Sequence, residues 1–315
     1  MGKNLKKVIF SVLLLAAVIV VSPKDAKAAG KVWMAGFNDN SITIQWSPQQ
    51  SSNGNRVDGY YLEEIGTQKM IWQGSADTTQ VTVQATKGYS GYIRLGYRLT
   101  SLISGKTYNL SVDSVYVNTT PADVAKNNFG IIAAYANIKK VAFAVNKPET
   151  ATGVQLEVYN AKNKRVLSKT STSMGYESMN VSKNMAYKYR ARYYYTNRSN
   201  NQTYYGRWSN YRYFAMPSIS GKTTNKKKGI KVVLKKGTGI KQYTVSVSKN
   251  SKSGFKKVKT VKVSKKKSYS FQITKNGKKK FKKGTYYVQV APKVKFGNKT
   301  YSSDVSTVAS AYVYK

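Results

Sequence analysis

Gly284-Thr285-Tyr286-Tyr287-Val288-Gln289-Val290, followed at Phe296-Gly297-Asn298-Lys299-Thr300-Tyr301 by a turn and a return strand, is the stretch from which this 315-residue chain is best read. Tyr286, Val288 and Val290 alternate with Tyr287 and Gln289, the period-2 pattern of a half-buried strand. Gly297-Asn298 supplies residues that tolerate the positive φ of a tight hairpin turn. The hairpin occurs twice more, as Ile93-Arg94-Leu95-Gly96-Tyr97 with Gly105-Lys106-Thr107-Tyr108 and as Tyr189-Arg190-Ala191-Arg192-Tyr193 with Asn201-Gln202-Thr203-Tyr204. Thr107 to Thr203 is 96 residues and Thr203 to Thr300 is 97. A repeat of that length is a domain rather than a solenoid unit.

At the N-terminus, Lys3, Lys6 and Lys7 precede an apolar run from Val8 to Val21, and Ala26-Lys27-Ala28 places small residues where a signal peptidase reads. This predicts a cleaved export signal over residues 1–28 and a secreted mature chain. The run is too short for the roughly 20 residues that span a bilayer, and no later stretch predicts a membrane span. Cysteine is absent, so each domain must stand on its core without disulfides even in an oxidising compartment.

Strand patterns of Val, Ile, Thr and Tyr recur and no stretch holds a period near 3.6, which predicts an all-β chain. Charge is distributed unevenly. Residues 30–118 carry 7 basic and 6 acidic side chains, residues 119–218 carry 15 and 4, and residues 219–315 carry 27 and 1, so net charge climbs from +1 to +11 to +26. All 27 basic residues of the last third are lysine, and Asp304 is its only acid.

In the first repeat, Ile42, Ile44 and Trp46 alternate before Pro48, which ends the strand. Val57-Asp58-Gly59-Tyr60-Tyr61-Leu62-Glu63-Glu64 follows, then short strands at Met70-Ile71-Trp72 and Val81-Thr82-Val83. With an opening strand near Val32 and the hairpin, the count is seven. A strand ending in Trp-Ser-Pro with Asp-Gly-Tyr opening the next resembles a fibronectin type III module. The lysine-rich last third, with Ser253-Gly254-Phe255-Lys256-Lys257-Val258 and Gly284-Thr285-Tyr286-Tyr287-Val288, resembles the repeats of that family in secreted bacterial surface proteins. The resemblance implies three tandem two-sheet β-sandwiches without disulfides, with Trp46 in the core of the first. The expected division is 31–117, a polar linker at 118–128, 129–217, and 218–315. In the second repeat, Val141–Val145 takes the place of the Trp46 strand and Val154–Val158 that of the next, without the tryptophan.

The second hairpin is rich in tyrosine and arginine. With Tyr187, Tyr189, Ala191 and Tyr193 on one face, Lys188, Arg190, Arg192 and Tyr194 take the other. Arg190, Arg192, Tyr194, Arg207 and Trp208 are therefore a candidate carbohydrate-binding set, stacking on sugar rings or pairing with anions. The alternative is that cross-strand arginine–tyrosine pairs only stabilise the sheet.

In the last repeat, Lys226, Lys227, Lys228, Lys256, Lys257, Lys265, Lys266, Lys267, Lys278, Lys279, Lys280, Lys282 and Lys283 form the candidate polyanion-binding set. Lysine on edges and turns blocks sheet-to-sheet association, but a plain soluble surface mixes both signs of charge. An anionic polymer, teichoic acid or acidic polysaccharide, is the expected partner, with nucleic acid a lower-ranked alternative. With no sorting motif or apolar tail in the sequence, association with a cell wall is expected to be non-covalent. A protein or glycan ligand for the first two repeats stays open.

Histidine and cysteine are both absent, removing the common soft metal ligands and the usual general base. Glu63 and Glu64 are adjacent and on a strand point to opposite faces. No phosphate-cradling glycine loop or nucleophile elbow occurs. No enzyme activity and no cofactor are expected.

Overall fold

Alternation of large apolar with polar residues makes a strand wherever the chain shows it, and a second such sheet must cover the apolar face. The computed structural model describes residues 30–52, 54–135, 139–172, 175–198, 200–224 and 229–314. The predicted export segment, residues 1–28, lies outside them. The described chain is all-β apart from a single 3₁₀ turn at Lys126–Asn128.

The first seven strands are β1 (Val32–Phe37), β2 (Ser41–Trp46), β3 (Asn55–Glu64), β4 (Lys69–Ser75), β5 (Gln80–Gln84), β6 (Ser90–Ser101) and β7 (Thr107–Asn118). They form a three-stranded sheet, β1-β2-β5, and a four-stranded sheet, β4-β3-β6-β7. Ile42, Ile44 and Trp46 from the first sheet and Tyr60, Leu62, Ile93 and Leu95 from the second share one core. Trp46 is 1% exposed and lies 5.5 Å from the Tyr60 ring and 5.6 Å from that of Trp72, so it fills the core position expected of it.

The next group is β8 (Phe129–Tyr135), β9 (Lys140–Val145), β10 (Gly153–Asn160), β11 (Arg165–Ser171), β12 (Gly175–Asn180), β13 (Ala186–Thr196), β14 (Thr203–Tyr205) and β15 (Arg212–Ala215). The sheet orders are β12-β9-β8 and β11-β10-β13-β14, with β15 also on β13. With no tryptophan on β9, the strand in the place of β2, Phe143 takes over that core position, 5.1 Å from Tyr189 and 5.9 Å from Phe214.

The last group is β16 (Ile219–Thr224), β17 (Gly229–Lys235), β18 (Ile240–Ser248), β19 (Lys256–Lys262), β20 (Ser268–Ile273), the two-residue strands β21 (Lys275–Asn276) and β22 (Lys279–Lys280), β23 (Gly284–Phe296), β24 (Lys299–Ser302) and β25 (Thr307–Val313). Here β16-β17-β20 and β19-β18-β23-β24 make the two sheets, β25 pairing with β23 and β21 with β22. Phe296 pairs with Lys299 across the turn, and Gly297 sits at φ +57°, as the sequence requires of a tight hairpin.

The chain divides into two compact units. The first holds the residues up to Ala122 together with Pro148–Thr152 and Tyr194–Arg207. Within it, the Tyr195 hydroxyl donates to the Gly88 carbonyl at 2.8 Å, and Asn197 Nδ2 donates to Asn118 Oδ1 at 3.1 Å. Asn118 and Thr119, which the sequence assigned to the linker, are completely buried there, and the Thr119 hydroxyl donates to Thr86 O at 2.8 Å.

The second unit holds Asp123–Lys147, Gly153–Tyr193 and the residues from Trp208 onward. Its two sheet systems are tied by backbone bonds from Thr238 N to Asn184 O and from Ala186 N to Thr238 O. Gly239, at φ +75°, sits so close that a Cβ there would lie 2.7 Å from that of Ala161, so only glycine fits. Nearby, the Tyr213 ring stacks on Tyr301 with centroids 3.8 Å apart.

Candidate functional site

The tyrosine and arginine face of β13 was read as alternating, and it alternates through Tyr193. Tyr187, Tyr189, Ala191 and Tyr193 are buried, while Lys188, Arg190 and Arg192 are half-buried on the other side. Tyr194 departs from the reading: it is 6% exposed, with its ring 5.9 Å from Tyr205, and has no open face to offer a sugar.

Trp208 is not on a strand. It is held in place by Ser209, whose N–H donates to Ala191 O at 2.9 Å and whose hydroxyl accepts from Ala191 N at 3.0 Å. This clamp sets the Trp208 ring 4.3 Å from the guanidinium carbons of both Arg190 and Arg192. Arg190 also lies 5.1 Å from the Tyr211 ring, and Lys188 Nζ lies 4.5 Å from that ring. The result is a ladder of cations alternating with rings along one face of the strand.

Arg190 is fixed in that ladder by Glu157, a buried carboxylate on β10. Arg190 donates to Glu157 Oε2 from Nε at 3.0 Å and Nη2 at 2.8 Å, Arg165 donates to Oε1 at 3.0 Å, and the Tyr159 hydroxyl donates at 2.8 Å. Burial by itself pushes the Glu157 carboxyl up, but the bonds from Arg190, Tyr159 and Arg165 outweigh it and hold the group below its ordinary value. Arg207 does not join this set. Its guanidinium donates to Asp39 at 3.2 Å within the first unit. The five residues grouped by sequence are therefore an intramolecular ladder of three, a buried tyrosine, and an arginine engaged elsewhere.

The lysine set is also divided. Lys226, Lys227 and Lys228 lie outside the described residues. Every other lysine of the set is exposed. Because strands alternate in direction, the β17–β18 and β19–β20 connections share one end of the sandwich, while β18–β19 and β20–β23 share the other. Lys265, Lys266 and Lys267 fall at the first end, where Lys236 N donates to Lys267 O at 2.9 Å and where Thr238 meets Asn184. Lys278, Lys279, Lys280, Lys282 and Lys283 fall at the second end.

That second end is a built loop. Phe281 is 6% exposed and its ring lies 4.4 Å from Tyr286, which pins the loop to the core. Lys282 N donates to the Tyr286 hydroxyl at 3.1 Å. Lys256 on the edge strand β19 approaches the loop, its Cδ 3.2 Å from where a Cβ on Gly277 would stand. Lys249, from the β18–β19 connection, sits over the Tyr286 ring at 5.6 Å. Lys256, Lys257 and the loop lysines thus converge on one pole, and Lys259 lies 4.6 Å over the Phe271 ring on the same edge strand.

Asp304, the lone acid of this part of the chain, is committed to the second sheet system. Its Oδ2 accepts from the Tyr189 hydroxyl at 2.8 Å and from Arg212 Nε at 3.0 Å, and its backbone N–H donates to Tyr213 O at 2.8 Å. Burial pushes the Tyr189 hydroxyl well up, and the neighbouring Asp304 carboxylate pushes it further. For Arg212, burial lowers the pKa, but the bond to Asp304 outweighs it and the net shift is upward. No other acidic side chain occurs in residues 219–315 to offset the lysines.

An open depression of about 450 Å³ in the second unit is lined by Lys126 to Ile132, Ala144, Asn146 and Arg212, with no carboxylate, hydroxyl or imidazole among them. Among the described residues, no group of three His, Cys, Asp or Glu side chains is placed to hold a metal, and no helix is long and apolar enough to cross a membrane.

No known family profile matches the chain, and no curated protein sequence matches it. Solved structures similar to it include the FN1–FN3 domains of chicken CNTN1, at 12% identity and a TM-score of 0.32, covering 91% of this chain and 98% of that one. A two-domain fibronectin type III segment of chicken tenascin matches at 6% identity and a TM-score of 0.32, covering 59% and 98%. The central fibronectin-III array of RIM-binding protein matches at 12% and 0.23, covering 88% and 94%.

Proposed function

We propose that this chain is a secreted, non-enzymatic string of fibronectin type III-like modules at 31–117, 129–217 and 218–315, used for binding or adhesion. The lysine-rich third module holds it by charge on an anionic polymer of a cell wall or matrix. The observation that carries the reading is the commitment of Asp304 to Arg212 and Tyr189, which leaves 27 lysines without an acid of their own module. Self-repulsion on this scale disfavours a compact domain until counterions or a polyanion screen it. Lysine suits the task because it is a point charge on a flexible stem, able to meet many anionic groups without planar register. The second-module ladder is a weaker candidate, since the Trp208 ring already has Arg190 and Arg192 against it.

The test is retention of the full chain on a polyanionic resin during a salt gradient. Replacing Lys278, Lys279, Lys280, Lys282 and Lys283 with glutamine is expected to lower the eluting salt concentration clearly. The same number of changes at Lys126, Lys139, Lys140, Lys162 and Lys164 should move it less. Equal shifts from both sets, or no retention of the parent chain in dilute buffer, would overturn the proposal.

A further inference from the structure

β25 brings to the lysine pole a feature that lies far from it in sequence. Tyr312 on this last strand and Tyr314 just beyond it are 38% and 53% exposed, with ring centroids 4.9 Å apart. Across the strand pair, Tyr312 faces Thr285 and Ser310 faces Tyr287, so these four side chains share the outer face, with Tyr286 and Ala311 turned to the core. Tyr287 is diagonal to Tyr312, a relation that leaves aromatic side chains within reach of each other. Lys283 immediately precedes Gly284, the first residue of β23, which pairs with Val313, so the lysine loop enters the strand pair at the end where Tyr312 lies.

We infer that this face is a binding surface for an anionic polysaccharide. Tyr312, Tyr314 and Tyr287 stack on sugar rings, Thr285 and Ser310 bond to ring hydroxyls, and Lys282 and Lys283 meet the carboxylate or sulfate groups. Charge complementarity selects an anionic polymer, and exposed rings beside hydroxyl side chains select one made of sugars over bare phosphate chains. This rests on the proposal that the third module binds polyanions and narrows the partner's chemistry.

Binding of the full chain to dextran sulfate, neutral dextran, polyphosphate and single-stranded DNA, at equal ionic strength, tests it. Replacing Tyr312 and Tyr314 together with alanine is expected to weaken dextran sulfate binding by about tenfold, as truncation of an aromatic anchor does. Polyphosphate binding should be unchanged, and replacement of both with phenylalanine should restore most of the dextran sulfate affinity. A loss that is equal for dextran sulfate and polyphosphate, or no loss for either, overturns the inference while leaving polyanion binding intact. Tighter and tyrosine-dependent binding of single-stranded DNA overturns it in favour of nucleic acid. No binding of any polyanion by the parent chain refutes the broader proposal itself.

Discussion

Removing the Asp304 carboxylate separates its structural role from its charge. In Asp304→Ala the Tyr189 hydroxyl, which is completely buried, loses its acceptor, a loss that costs about 1 to 3 kcal/mol. Arg212 loses its ion pair, whose partners are each 26% exposed, and solvent at that exposure limits the loss to about 1 kcal/mol. Arg212 keeps the carbonyls of Lys126 and Phe129 as acceptors. The sum is about 2 to 4 kcal/mol, which at a urea m-value of about 2 to 3 kcal/mol/M lowers the midpoint by about 1 M. Asp304→Asn keeps an acceptor for Tyr189 and should lose about half as much. Urea denaturation of the full chain reads the midpoint, and hydrogen exchange localises the change to peptides around Tyr189, Arg212 and Asp304. An alanine variant within about 0.5 kcal/mol of the parent, the scatter expected of an unimportant surface change, would refute the claim that Asp304 joins these elements.

Two further outcomes follow from the ladder. Glu157 has a folded-state pKa below its unfolded value of about 4.3, so its contribution is complete above that value and is lost as pH falls through the folded pKa. Glu157→Gln should cost about 2 to 3 kcal/mol at neutral pH, less than a fully buried pair because Arg190 is a quarter exposed, and should flatten the stability loss of the parent over the acid range below the unfolded carboxyl value. Thermal melts across that range check it. Trp208→Ala removes the ring shared by Arg190 and Arg192 and should cost about 1 to 2 kcal/mol, with no change in the salt needed to elute the chain from a polyanionic resin.

Most of the architecture was legible because strand alternation is a local property. Ile42, Ile44 and Trp46, or Tyr187, Tyr189 and Tyr193, declare their buried face within a few residues, and the hairpins repeat at domain spacing. The lysine excess was equally plain, since charge is a matter of counting. What could not be read locally was the company each residue keeps. Strand alternation would put Tyr194 on the outer face with Arg190 and Arg192, yet it is buried with its ring 5.9 Å from Tyr205. Arg207 and Trp208 are neighbours in sequence, but the clamp of Ser209 on Ala191 sends the ring to Arg190 and Arg192 while Arg207 meets Asp39. Lys265 to Lys267 and Lys278 to Lys280 were grouped as one candidate set, and strand direction sends them to opposite ends.

By itself the order of amino acids determined that this chain is a series of cysteine-free β-sandwiches with positive charge gathered toward one terminus, because period-2 burial and net charge are carried by the residues themselves. Tertiary structure alone decided that Asp304 is committed to Arg212 and Tyr189, and that Tyr312 lies opposite Thr285, two residues past Lys283. Antiparallel pairing sets Tyr312 opposite Thr285, far from it along the chain, and which carboxylate neutralises which cation is a question of distance in space.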